Sequence, residues 1–149
     1  GGFGESDWRR LTAMAPLALL GLAASWLLSR DLNLLSFGED SAQSLGTDIR
    51  RSRALVLLVA AVLTSISVAL AGVIGFVGIM VPHAARRIVG PDHRRLLPAA
   101  MLAGAAFLTL VDVAARTMRP PTEVPVGLLT GLLGGPFFLF LMRRGRMGS

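Results

Sequence analysis

From Ala54 to Ala85 the chain carries no charged side chain, and three further stretches are equally free of charge: Leu11 to Ser29, Leu96 to Val111 and Val124 to Met142. A spanning helix needs about 20 apolar residues, because a ~30 Å hydrocarbon core is crossed at 1.5 Å per residue. The first and last stretches each fit one crossing. The third reaches that length once Val113 to Ala115 are added beyond Asp112. The stretch from Ala54 is too long for one helix and too short for two full ones.

Arginine placement decides how that stretch is threaded. The 15 basic residues are all Arg, and they gather at the ends of the apolar runs. Positive charge concentrates on the inner side of a membrane. If the stretch makes a round trip, Arg30, Arg50, Arg51, Arg53, Arg86, Arg87, Arg94, Arg95, Arg143, Arg144 and Arg146 lie inside. That is eleven, against four outside: Arg9, Arg10, Arg116 and Arg119. A single crossing gives six against nine. The expectation is therefore a full helix from about Arg50 to Ala71 and a shorter return leg, with the turn at Gly72, Gly75 and Gly78. Glycine allows positive φ and close backbone approach there. A short leg survives only where protein or a water-filled cavity surrounds it. The fold class is thus an all-α, polytopic transmembrane bundle with about four full spans, a short return helix and short cytoplasmic helices.

Composition narrows the function. The net charge of +6 follows from helix-end arginines, which lipid headgroups require, so nucleic acid is not an expected partner and membrane lipid is. There is no cysteine, hence no disulfide, thiolate metal site or Cys nucleophile. Without lysine a P-loop cannot form, so any ATP-driven role needs a separate ATPase. His83 and His93 lack suitably spaced acidic or Cys partners, and no metal or cofactor site is expected. His83, after Pro82 at a helix end, reads as a hydrogen-bonded structural residue. No arrangement for covalent catalysis is present, and an enzyme is not expected. The opening Gly1 to Asp7 reads as the middle of a longer protein.

The polar segments carry the remaining signals. Ser36 to Glu39 fits a capping box that opens a short helix ending at Leu45, with Gly46 as its stop. Thr47 and Asp48 can cap the next span. Gly90-Pro91 breaks the return helix and Asp92 caps the one after. Asp112 and Arg116, four apart, can pair on one helix face; an ionisable residue at membrane depth is equally a functional candidate. Gly127, Gly131 and Gly135 form a flat face for another helix, from this chain or another subunit, and Pro136 interrupts the same helix.

Several segments together resemble the FecCD-type permeases of ABC importers. They are Gly38-Glu39-Asp40-Ser41-Ala42-Gln43-Ser44-Leu45-Gly46, Gly75-Phe76-Val77-Gly78 through Pro82-His83 to Arg86, Asp92 to Pro98, Asp112 to Arg116, Glu123 to Gly127, and Gly134-Gly135-Pro136. The resemblance covers essentially the whole chain and implies that residues 1–149 are the carboxy-terminal half of a permease domain, with roughly five helices preceding them. It implies a multi-pass protein of the bacterial inner membrane that moves a metal chelate (iron-siderophore, haem or cobalamin). Its implied partners are a cytoplasmic ABC ATPase, a periplasmic or lipid-anchored substrate-binding protein and a second permease subunit. Residues 31–48 would form the coupling loop, with Glu39, Ser41, Ala42, Leu45 and Gly46 meeting the ATPase. Arg116 would dock the binding protein, with Arg119 a nearby candidate. An ion-coupled secondary transporter is the competing reading, but it wants ionisable groups near the midplane, and Asp112 is close to one end. A non-transporting scaffold would use the glycines as plain packing.

Overall fold

The computed structural model describes residues 8–38, 48–117 and 125–145. These form six helices: α1 (Trp8–Leu27), α2 (Ser29–Ser36), α3 (Ile49–Ala71), α4 (Val77–Val89), α5 (His93–Thr117) and α6 (Val126–Gly145). Helices α1, α3 and α5 are each long and apolar enough to cross a membrane, and α6 has a shorter apolar run over Val126–Leu139. α1 packs on α3, α4 on α5, and α6 closes against both α5 and α4.

The round trip is visible in the side chains. Ser52, at the start of α3, donates to Asp31 on α2 at 2.7 Å. Asn33, also on α2, bonds Asp92 at 2.7 Å, just before α5. Chain that leaves along α3 therefore comes back along α4 to the same end, carrying Arg86, Arg87, Arg94 and Arg95 with it. α4 is the short leg, with 13 residues against 23 in α3.

The turn between them differs from the expectation. Gly72 does take a positive φ of 70°, but the second left-handed residue is Phe76 at φ 66°, not Gly75 or Gly78. Gly78 already lies in the first turn of α4. Four residues, Val73 to Phe76, make three steps down α6: Val73 lies beside Gly127 and Phe76 against Gly134. Seven helical residues cover about 10 Å, and three extended ones span about the same. The break is thus extended chain running down the flank of α6, and Phe76 in the left-handed region starts the new helix.

Two other local expectations are corrected. Ser36 does not open a helix; it ends one, donating its hydroxyl to the Asn33 carbonyl at 2.6 Å. Leu28 keeps near-helical torsions, so helix resumes at once after α1 and stops where Gly38 turns out at φ 101°. The long-range bonds of Asp31 and Asn33 hold residues 29–36 as helix, and the expected helix toward Leu45 falls on residues 39–47, outside the described ones. Pro82 and His83 lie in the middle of α4, not at its end. The ring costs α4 the bond that residue 82 would donate to the Gly78 carbonyl, and the helix continues past it.

Candidate functional site

Functional side chains gather at the two ends of the bundle. At the arginine-rich end Asn33 is the bridge. Its amide nitrogen donates to Asp92 Oδ1 at 2.7 Å, and its Oδ1 accepts from the His93 backbone N–H at 2.8 Å. The same oxygen lies 2.7 Å from His93 Nδ1, which must carry the proton for that contact to be a hydrogen bond. Asp92 also accepts from the Arg94 N–H at 3.0 Å, capping α5 as its sequence suggests. Asp48 caps α3 in the same way through the Arg51 N–H at 3.1 Å. An open recess of about 480 Å³ lies here, lined by Arg30, Asn33, Asp92 and Arg94.

The Asn33 amide, then the Arg94 N–H, hold Asp92 below the ordinary aspartate range. The charges of Arg95 and Arg94 add to this, and desolvation opposes it. A carboxyl whose folded pKa is depressed contributes stability above its unfolded value and loses it as pH falls through the folded one. Melting of the full-length protein should therefore show an acid-side loss below about pH 4 that Asp92→Asn lacks. Parallel acid limbs for the two proteins would show that this cap carries no linkage.

At the opposite end Arg116 Nε donates to Asp112 Oδ2 at 2.9 Å. Beside them Val111, Ala115 and Val126 form a small buried cluster, against which Ile74 of the break, Phe107, Leu108 and Leu129 pack. The break therefore packs on the same two turns of α5 that carry the Asp112–Arg116 pair. Arg116 remains 45% exposed, and one N–H of its five is used by Asp112.

The glycine seam of α6 is used only in part by this chain. A side chain at Gly127 would press on the Val73 carbonyl at 3.2 Å, whereas Gly131 and Gly135 face open space. Gly134, outside that four-residue register, is the one the chain presses hardest: a first side-chain carbon there would overlap Phe76. Gly75 and Gly78 also meet nothing within 4 Å. His83 sets its ring edge-on to Phe137, with centroids 6.1 Å apart, and its buried Nε2 has no hydrogen-bond partner. The expected hydrogen-bonded role is therefore absent at that nitrogen. Glu39, Ser41, Ala42, Leu45, Gly46 and Arg119 lie outside the described residues. Among the described residues no three His, Cys, Asp or Glu side chains cluster to hold a metal. Asn33 and Phe76 are the residues that sequence reasoning passed over; neither belongs to a local pattern of charge or period.

Three helices of membrane-crossing length, a shorter apolar helix and a short leg that returns to the same end define a multi-pass membrane bundle among the described residues. The chain belongs to the FecCD transport family, whose model matches residues 1–144. It is 48% identical over 138 residues to a cobalamin import system permease protein of Halobacterium salinarum, covering 93% of this chain and 37% of that one. It is 46% identical to a hemin transport system permease protein of Yersinia pestis, covering 98% and 44%. A solved chain, described as a metal-chelate type ABC transporter in an inward-facing conformation, superposes with a TM-score of 0.89 at 39% identity, covering 97% of this chain and 46% of its own length. The chain spans less than half the length of these relatives.

Proposed function

We propose that this chain is the carboxy-terminal part of a permease subunit of an ABC importer, moving a metal chelate across the bacterial inner membrane by alternating access. Family membership over nearly the whole chain carries the reading, and the names of the relatives point to cobalamin, haem and iron chelates as the cargo class. The permease makes and breaks no covalent bond. Energy comes from a separate ATPase that grips residues 39–46, with Glu39, Ser41, Ala42, Leu45 and Gly46 as the contacts.

The arrangement of the helices supports a way to transmit that motion. α2 leads directly into residues 39–46 and is tied by Asn33 to the start of α5. α5 is an unbroken helix of 25 residues ending at the Asp112–Arg116 pair. A push on the coupling segment reaches the outer end through one rigid rod, and the break follows through Ile74. Gly131 and Gly135, unoccupied by this chain, suit the close approach of a second permease subunit. The test is reconstitution: the full-length protein should co-purify with an ATPase and support ATP-dependent chelate uptake into proteoliposomes. Uptake driven by an ion gradient without ATP would refute it.

In this reading Arg116, with Arg119 beside it in sequence, docks the substrate-binding protein. An exposed ion pair contributes about 0–1 kcal/mol, so Arg116→Glu should barely change the melting temperature. It should slow association with the binding protein, more so at low salt. Surface plasmon resonance over permease in nanodiscs reads this directly. A lowered melting temperature with unchanged binding, repaired by Asp112→Arg, would leave Arg116 with only its internal role.

A further inference from the structure

We propose that the recess between α2 and α5 binds a phosphate-bearing anion, the headgroup of an acidic phospholipid. Four residues line it, and two of them are already bonded to each other. The Asn33 amide is taken by Asp92 and His93, and Asp92 Oδ1 accepts from both Asn33 and Arg94 N–H. The guanidinium groups of Arg30 and Arg94 have no ion pair among the described residues. Asp31, the other nearby acid, is turned to the Ser52 hydroxyl and does not line the recess. Two arginines therefore border one open space, and Asp92 offsets only one of their two charges. Arginine forks bind phosphate oxygens in bidentate fashion.

The surroundings favour a lipid over a free anion. Basic recesses between membrane helices on the inner side are suited to acidic headgroups. Trp26 and Leu27, 51% and 73% exposed, stand four and three residues before Arg30 on a nearly continuous helix. That spacing puts them on the same face as Arg30, one turn deeper. An acyl chain can lie along them while the phosphate stays in the recess, and tryptophan is at home at this depth. Free phosphate has no use for the apolar strip. Neither would the acidic surface of a soluble partner.

The experiment uses full-length permease in detergent with equimolar phosphatidylglycerol and phosphatidylcholine, and counts retained lipids by native mass spectrometry. Each arginine near a lipid surface contributes about fivefold in affinity. The double substitution Arg30→Gln with Arg94→Gln should therefore weaken phosphatidylglycerol retention about 30-fold. Arg50→Gln with Arg51→Gln removes the same charge from the same end but not from the recess, and should weaken retention markedly less. Should the first pair fail to assemble, Arg30→Lys with Arg94→Lys keeps the charge, loses the forks, and should still reduce retention. Equal losses in the recess and control pairs would overturn the proposal. So would unchanged lipid retention accompanied either by lost ATPase binding or by lost stabilisation from inorganic phosphate.

Discussion

Gly134→Ala should unseat the last helix. The added methyl would overlap Phe76 at its Cγ and also at its Cβ, which the backbone fixes and no side-chain rotation can move. Phe76 has little slack to yield, because it is already held at φ 66° as the N-cap of α4. Overpacking costs about 1–3 kcal/mol where neighbours can shift, and sometimes more; with the neighbour pinned, roughly 3 kcal/mol or above is expected. The melting temperature of the full-length permease should fall by several degrees, with reduced yield in the membrane. Combining Gly134→Ala with Phe76→Gly should recover much of the loss, since glycine also relieves the left-handed torsion. A double-mutant cycle checks this. Additive losses would mean that the two positions do not press on each other.

Asn33→Asp is the second large effect, and it acts at the opposite end. The substitution turns a donor into a carboxylate 2.7 Å from Asp92. One charge-assisted hydrogen bond is lost, and two like charges are brought together. Melting at pH 7 should show a clearly lowered midpoint. The defect should shrink in acid, because two adjacent carboxylates raise each other's affinity for a shared proton. Asn33→Ala should lose less at pH 7 and show no such recovery. A melting curve for Asn33→Asp equal to wild type at pH 7 would remove Asn33 as the tie between α2 and α5.

The features that were legible in the sequence share a local cause. Asp48 and Asp92 precede apolar runs, and both cap the helix that follows. Asp112 and Arg116 are four apart, and they pair. The round trip of α3 and α4 followed from charge bias, a global signal that needs no contact to be known. Family membership rests on ordered motifs over nearly the full length. Most of the misses depended on partners distant in sequence. Ser36 had the residues of a capping box, but Asp31 and Asn33 found partners on α3 and α5 that fixed the preceding residues as helix. Gly131 and Gly135 kept the regular register, while the close contact fell to Gly134 because Phe76 lands there. A phenylalanine at positive φ cannot be foreseen from composition, since glycines stood on either side of it to take that torsion.

The unequal legs of the hairpin set which side of this chain can touch lipid. α3 is about 34 Å long and matches a bilayer; α4, at about 20 Å, leaves the outer leaflet some 10 Å without helix. Over that gap the extended strand from Val73 to Phe76 has backbone amides outside any helical ladder, and acyl chains cannot hydrogen-bond them. A membrane would have to thin sharply on that flank alone, while α1 and α3 hold it at full thickness on the other. The mismatch is relieved if the α4 flank is turned away from the acyl chains, toward other protein or a wet interior. The hairpin thus acts as a compass for how the whole protein sits among its neighbours.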